Sequence, residues 1–263
     1  MVETPPAHPP AQPGQRLPSV TANLRFSAGG IDIAAPMTVP AVAAPAETML
    51  PALHMLVNRV VDAAEARQRA AGVETTCRRG CAACCRHLVP LSRTEARGLA
   101  ALVAAQSPQR RDILRTRFAA AAARLGTAAL LPDWFDFRAR SGIADRALST
   151  GYFAHYIDCP FLDNEVCSIY ADRPLACREL KVTSPPAHCS TPEQDGVIPL
   201  PLPKFSVAVR GLEEDDNLAD TTSHWLPLPL ALEWLEKEAG QPRQTRSGPD
   251  WIQRFLRRLG KGR

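Results

Sequence analysis

The chain has eight cysteines, and half of them fall within nine residues. The crowded four lie in the segment 77-CRRGCAACCRH-87 and are Cys77, Cys81, Cys84 and Cys85. The others lie far downstream, at Cys159, Cys167, Cys177 and Cys189. Thiolates are preferred ligands of zinc and of the iron in iron–sulfur centres. So close a set of thiols therefore predicts a fold built around a metal.

Two local conformations suit the spacing C-x3-C-x2-C-C. In a helix, at about 100° per residue, the four thiols fall on one narrow stripe. Gly80 would break that helix, and a loop is equally suited to ligation. Arg78, Arg79 and Arg86 flank the cysteines, and nearby positive charge favours thiolate over thiol.

The downstream cysteines are expected on a hairpin, a helix and a loop. Asp163-Asn164-Glu165 is a turn signal between two short apolar runs, so Cys159 and Cys167 are expected at the two strand ends, facing each other. Cys177 is expected on a short helix opened by Pro174, and Cys189 in a loop rich in Pro and Ser. Because a structural zinc takes four ligands, eight thiols leave several arrangements open. They are two zinc sites, one iron–sulfur cluster with spare cysteines, or a polynuclear centre.

The expected compartment argues against a disulfide framework. The first residues have no basic stretch followed by an apolar one, so no secretory signal is predicted, and no apolar run is long enough to predict a membrane span. A cytoplasmic location is therefore expected, where thiols stay reduced. Metal or redox chemistry then explains the cysteines better than disulfides do. Cys189 alone is also readily explained as a small buried hydrophobe.

Histidines add few candidate ligands. His87 and His188 lie beside cysteines and would suit zinc, although a polar surface role is the more common explanation for each. His54 is expected to be structural because it lies in an apolar helical stretch. His155 lies four residues before Cys159 and is no stronger a candidate ligand.

The run CRRGCAACCRHLVPLSRTEA, followed by CPFLDNEVCSIYADRPLACREL, resembles the YkgJ-type cysteine-cluster family, described as a zinc- or iron-chelating domain. The resemblance covers about residues 77–190. It implies metal binding through the first seven cysteines, with Cys189 a looser match. Arg173 and Arg178 also fall in the motif, where they would pair with thiolate charge, fix the loop or form a structural ion pair.

The same cysteine-rich region is similar to that of a flagellin lysine N-methylase, which implies iron–sulfur-dependent methyl transfer to a protein lysine. No glycine-rich cofactor loop supports this alternative. The spacing of the first three cysteines also matches radical-SAM enzymes. Against that reading, Ala83 stands where an aromatic residue is usual, and no alternation of strands and helices predicts a barrel.

The rest of the chain predicts an α+β protein, mostly α-helical, with one compact domain, small β-hairpins and a cysteine-rich metal-binding core. The net charge of +4 is small and no basic stripe with aromatics occurs, so no nucleic-acid partner is expected. The predicted organisation is a disordered Pro-rich arm at 1–20, a β-hairpin or flap at 21–45, the metal-binding domain at 46–240, and a linker with a basic C-terminal helix at 241–263. A third functional class is an interaction module in which a structural zinc holds the fold and one of the ends binds a protein.

Within that plan, apolar spacing predicts helices over 48–71 and 227–240, closed by Gly72 and Gly240, and over 249–260. Ser92 with Glu95 predicts a capped helix, and Ser107-Pro108 predicts another that runs to Gly126. The remaining expectations are a weaker helix over 142–157, an extended strand within 197–211, and a core position for Trp134, Phe135 and Phe137.

Overall fold

A computed structural model describes residues 17–127, 146–191, 196–213 and 225–261, which are mainly helical. The helices are α1 Leu50–Ala70, α2 Arg93–Ala104, α3 Pro108–Thr127, α4 Arg146–Ala154, α5 Leu175–Glu179, α6 Phe205–Arg210, α7 Ala231–Lys237 and α8 Gly248–Lys261. The strands are β1 Ser19–Ala28, β2 Ile31–Pro40, β3 Ala44–Pro45, β4 Pro90–Leu91, β5 Leu162–Asp163, β6 Val166–Cys167, β7 Leu226–Pro227 and β8 Thr245–Arg246. They form the antiparallel pairs β1–β2, β3–β8, β4–β7 and β5–β6. This confirms the predicted α+β class with a helical majority.

The N-terminal hairpin forms as predicted. Gly29 and Gly30, with φ of 59° and 72°, form a two-residue turn that needs the left-handed region at both positions. Every second residue of β2 is buried, so one face of the strand packs towards the interior while the other faces solvent. Within the described ranges β1 and β2 pair with each other and with no further strand, so both strands of the hairpin are edge strands there.

A first apolar core lies between this hairpin and the helices α1, α6 and α8. Its fully buried side chains include Leu53, Val57, Phe205 and Phe255. α1 ends where the sequence predicts, since Gly72 has φ of 79°, a conformation that favours glycine.

The C-terminal helix α8 belongs to this first core and is not a free basic segment. Trp251 is buried, and its indole N–H donates to the Ala44 carbonyl at 2.8 Å. Arg254 and Arg258 are buried too, and the Arg254 Nε donates to the Leu212 carbonyl at 2.5 Å. These arginines therefore do not form a solvated face, since both are buried and Arg254 satisfies the Leu212 carbonyl just after α6.

A second apolar core lies among α2, α3, α4 and α7. Phe118 on α3 meets Phe161 edge to face, with ring centroids 5.3 Å apart. Trp234 on α7 is almost fully buried in the same cluster. Since Phe161 lies between Cys159 and the β5–β6 hairpin, this core directly supports the cysteine-rich region.

Residues 197–211 do not form the predicted extended strand. Only Pro199 makes a strand-like bridge, to Val182, and α6 then begins at Phe205. Prolines at 199, 201 and 203 remove the amide donors that a strand ladder needs. The spacing of Phe205, Ala208 and Val209 is helical, and all three side chains are buried.

The weak helix expected over 142–157 appears as α4. The expected core aromatics Trp134, Phe135 and Phe137 lie outside the described residues. Within the part of the chain that is described, no helix combines the length and apolar character needed to cross a membrane.

The capping box at α2 generates a stability prediction. The Ser92 hydroxyl accepts from the Glu95 N–H at 3.0 Å and donates to the Glu95 carboxylate at 2.8 Å, and Ser92 is buried. We expect Ser92→Ala to lower the free energy of unfolding by about 1–2 kcal/mol, since a buried carboxylate loses a donor together with the cap. Urea unfolding followed by circular dichroism measures this loss.

Ser107→Ala is the matched control, because Ser107 caps α3 in an exposed position through a longer bond of 3.3 Å to the Arg110 N–H. Ser107→Ala should lower the free energy of unfolding clearly less than Ser92→Ala does. Equal losses in the two variants would contradict the role assigned to the buried network.

Candidate metal centre

The first cysteine segment is a loop that ends in one turn of 3-10 helix. Gly80 has φ of 89°, which ends any helical path between Cys77 and Cys81. The 3-10 turn spans Ala83–Arg86 and includes Cys84 and Cys85. Of the two predicted conformations, the single helical stripe is wrong and the loop is confirmed.

The β5–β6 hairpin forms at the predicted turn, with Asn164 and Glu165 both at positive φ, 47° and 59°. Its register pairs Leu162 with Cys167. Cys159 lies before the first strand, and its carbonyl accepts from the Leu162 N–H at 2.9 Å. The prediction that Cys159 and Cys167 face each other across the ladder is therefore wrong. Each strand has only two residues, so the ladder ends at Leu162 and does not reach Cys159.

Cys177 occupies the predicted kind of element, whereas the loop expected around Cys189 is a short 3-10 turn. Cys177 lies on α5, which begins directly after Pro174. Cys189 lies in a 3-10 turn over Pro186–Ser190 and is buried. This turn packs against the 3-10 turn of the first cysteine segment.

Hydrogen bonds fasten the early cysteine segment to the late one. The Cys159 N–H donates to the Cys85 carbonyl at 2.9 Å. At the other end of the segment, the Thr76 N–H donates to the Val182 carbonyl at 2.9 Å, and the Val182 N–H donates to the Cys77 sulfur at 3.3 Å. Residues far apart in the sequence are thus brought together by the backbone itself.

All eight cysteines line one cavity of about 90 Å³. The cysteines are all free, so none pairs in a disulfide. Apolar side chains complete much of the wall, among them Phe161, Ile169 and Leu228. As folded here, the described residues contain no set of three Cys, His, Asp or Glu side chains already grouped around one metal position. The thiols therefore share a cavity, while their ligation of a metal stays a prediction.

The cavity changes the acidity of its thiols. Burial raises the pKa of Cys159 to about 12 and that of Cys189 to about 11, and neighbouring thiolates add to both shifts. Burial also raises the pKa of Cys177. The exception is Cys84, whose pKa falls to about 7 because the Cys85 thiol donates a hydrogen bond to it. Without a metal, most of these thiols are protonated at neutral pH.

The two arginines of the motif have different environments. Arg178 is buried and fixes the preceding loop, because its Nε donates to the Arg173 carbonyl at 2.8 Å and an Nη donates to the Asn58 side chain at 2.9 Å. Arg173 lines the cavity and stacks on the Tyr170 ring at 3.9 Å. Of the sequence alternatives, fixing the loop is confirmed for Arg178.

No histidine of the described residues lines the cavity. The His87 Nε2 lies 2.6 Å from the Cys189 carbonyl, and the His188 Nδ1 lies 2.7 Å from the Gly196 carbonyl. Each ring is thus used to hold backbone near the cysteines. Burial, together with the charges of Arg178 and Arg173, lowers the pKa of His54 to about 3, which keeps that ring neutral.

Two supports of the site were missed by sequence reasoning. Glu95 was interpreted only as a helix cap, yet its second carboxylate oxygen accepts from the Leu175 N–H at 2.8 Å and so positions α5. Thr76 and Val182 carry no recognisable signal at all, because their bonds join backbone groups over a hundred residues apart. For Glu95, the available signal is its place in the capping box, which does not reveal the second bond.

Comparison with known families agrees with this site. Residues 76–194, which contain all eight cysteines, match the family CxxCxxCC, described as "Putative zinc- or iron-chelating domain". Over residues 76–194 this match confirms the cysteine-cluster family predicted from the sequence. None of the curated proteins and none of the solved structures matches the chain.

The hairpin that carries Cys167 generates a second prediction. The Asp163 carboxylate is held by Arg110 and by Arg117, whose Nη1 lies at 2.5 Å. Burial alone would raise the pKa of Asp163, but the two guanidinium groups outweigh it and hold that pKa below its ordinary value. We expect Asp163→Asn to lower the free energy of unfolding at neutral pH by about 1.5–3 kcal/mol, the range for hydrogen bonds to charged groups.

The effect of Asp163→Asn should depend on pH in a defined direction. Because the folded-state pKa is depressed, the stabilisation is present above the unfolded-state pKa and is lost as the pH falls through the folded-state value. The difference from wild type should therefore shrink once the pH falls below the ordinary aspartate pKa of about 3.9, as measured by urea unfolding between about pH 7 and pH 3. Asp158→Asn, which breaks the exposed pair with Arg86, is the control and should change little. A difference that grows in acid would contradict the assignment.

Proposed function

We propose that this protein binds zinc or iron through its eight cysteines, inside the cavity that they line. The observation that carries the proposal is that all eight thiols, from two separate stretches of chain, border the same cavity and none forms a disulfide. Chance burial of small hydrophobes would not gather every cysteine of the chain at one place. The family match to residues 76–194 supports zinc or iron chelation in the same region.

The chemistry of the cavity suits a soft metal. Its donors are sulfurs, and its wall is largely apolar, which disfavours Mg²⁺ and Ca²⁺ since those ions prefer oxygen ligands and water. Cysteine side chains have three staggered positions, so rotation about one bond would direct their sulfurs towards an ion. When bound, the metal would replace the thiol protons and supply positive charge to the clustered sulfurs.

The chain's own residues would stabilise the thiolates. The backbone N–H of Val182 donates to the Cys77 sulfur, and hydrogen bonds to a charged sulfur favour the thiolate form. Arg78, Arg173 and Lys181 line the cavity and contribute positive charge. Lys181 also pairs with Glu65 at 2.9 Å, which fixes its position beside Cys77.

A metal at this place would act on folding as well. The cavity lies between segments that meet only in the folded chain, so the binding free energy contributes to the stability of the fold. We infer that the metal holds residues 77–85 against residues 159–189. No contact among the described residues favours the methyl-transfer alternative over this role.

Elemental analysis of protein purified without air tests the proposal. We expect zinc or iron in wild type, and reduced metal content with a lower thermal unfolding midpoint in Cys81→Ser and in Cys84→Ser. Visible absorption separates the two metals, because zinc thiolate is colourless whereas iron–sulfur centres are brown.

His155→Ala serves as the control, since His155 lies near Cys159 in sequence but outside the cavity wall. It should keep the metal content of wild type. Full metal occupancy in both cysteine variants would show that the thiols of this cavity are not the ligands.

A further inference from the structure

Apart from the thiols, the ionisable side chains that line the cysteine cavity are all cationic. They are Arg78, Arg173 and Lys181, and no aspartate or glutamate of the described residues lines this cavity. The lining residues that are exposed to solvent are Arg78, Gly80 and Leu180, so the cavity opens on their side. A ligand that arrives from solvent therefore meets positive charge at the entrance.

A second exposed arginine adds to the charge at this entrance. Arg79 follows Arg78, and its guanidinium lies 5.9 Å from the centre of the Tyr170 ring. The Arg173 guanidinium lies 3.9 Å from the centre of the same ring. One aromatic ring thus holds two guanidinium groups whose like charges repel each other, and a bound anion would offset that repulsion. We call Arg78, Arg79 and Arg173 the entrance arginines.

No carboxylate neutralises the entrance arginines. None of the three forms an ion pair within the described ranges of the chain. Lys181 differs, because it pairs with Glu65 at 2.9 Å. Asp172, next to Arg173 in sequence, lines a separate cavity between α1 and α2. The positive charge of the entrance is therefore available to a ligand.

Arg173 also has an unused hydrogen-bond donor. Its Nε is buried and has no partner in the part of the chain that the structure describes. Buried donors are nearly always paired, so this one indicates a missing acceptor. Because Arg173 lines the cavity, a small ligand that enters there could supply the acceptor. A carboxylate is well suited, since it matches a guanidinium in both shape and charge.

A cationic entrance also affects how a metal ion can reach the cysteines. It repels a hydrated metal dication, and it attracts a complex of net negative charge. A cleft lined by one sign of charge raises the association rate of an oppositely charged ligand by about 10- to 1,000-fold at low salt. The positive entrance and the thiol-lined cavity are therefore compatible when the ion arrives bound to carboxylates.

We propose that the entrance arginines bind the carboxylates of a small anionic metal complex and so guide its ion to the cysteines. In the exchange, cysteine sulfurs replace carboxylate oxygens as ligands of the ion. The thiol protons pass to the released carboxylates and to water, and no electron is transferred. This inference rests on the proposed function, because it concerns how the same site acquires its metal.

Rates of zinc transfer to reduced, metal-free, full-length protein test the inference without any variant. The donors are the anionic zinc complex of nitrilotriacetate and the cationic zinc complex of tris(2-aminoethyl)amine, two chelators of the same tripodal shape. Ultraviolet absorption of zinc thiolate follows the uptake. We expect uptake from the nitrilotriacetate complex to slow as salt is added, because salt screens the attraction. Uptake from the amine complex should not slow.

The same comparison is made on protein already loaded with zinc. Bound zinc is exchanged for radioactive zinc that is supplied as each of the two complexes. We expect the same dependence on salt and on the charge of the donor. This measurement uses the folded, metal-bound chain, so it holds even where the metal-free chain is unfolded.

Substitutions at the entrance test the residues themselves. Arg78→Gln combined with Arg79→Gln should slow transfer from the nitrilotriacetate complex about tenfold at low salt. It should leave both the final zinc content and the transfer from the amine complex unchanged. Arg78→Lys with Arg79→Lys keeps the charge and should keep most of the wild-type rate. Arg25→Gln with Arg115→Gln is the matched control, because it removes equal charge from exposed positions outside the cavity wall.

The outcomes separate this inference from the proposal on which it rests. Wild type that binds zinc but shows no salt-dependent preference for the anionic donor would overturn the role of the entrance while leaving metal binding intact. Glutamine variants that keep the wild-type rate, or that slow transfer from both donors equally, would do the same. Wild type that takes up zinc from neither donor and contains neither zinc nor iron would overturn metal binding, and this inference with it.

Discussion

The backbone bond from the Cys159 N–H to the Cys85 carbonyl joins the two halves of the cysteine region, and the rest of the site depends on this junction. Buried amides and carbonyls must find partners, so each segment here satisfies the other. The bonds between Thr76 and Val182 do the same at the far end of the first segment. Together they close a cavity whose wall takes cysteines from both sides.

Gathering eight thiols in one cavity has an electrostatic cost. Burial and mutual repulsion raise the pKa of nearly every thiol for which a shift is seen, so the cavity disfavours multiple thiolates in the absence of a cation. The low pKa of Cys84 is the exception, because the Cys85 thiol donates to it. A fold that concentrates thiols against this cost is one in which a metal ion would provide a large stabilisation.

The helix α5 is held at both ends by carboxylates, and this explains how a five-residue helix keeps Cys177 in place. Glu95 of α2 accepts from the Leu175 N–H at its start. At its end, Glu179 accepts from the Ser206 N–H and hydroxyl, at 2.9 and 2.6 Å, and so links α5 to α6. Short helices are marginal alone, since few hydrogen bonds offset the cost of nucleation. Here the buried carboxylates of Glu95 and Glu179 provide the missing support.

Local signals in the sequence determined α1 within 48–71, the shorter α7 within the predicted 227–240, the capping box at Ser92 and the turns at Gly29-Gly30 and Asn164-Glu165. They also determined the resemblance to the cysteine-cluster family. Caps, turns and apolar spacing act over a few residues, so each can be recognised locally. Only the tertiary structure decided that Phe205–Arg210 form α6 where a strand was predicted, and that Arg254 and Arg258 are buried. It alone also decided that Cys159 lies outside the hairpin ladder and that all eight thiols border one cavity. Those outcomes depend on which distant backbone groups and side chains meet. Such meetings are set by the packing of the two cores and leave no local pattern in the chain.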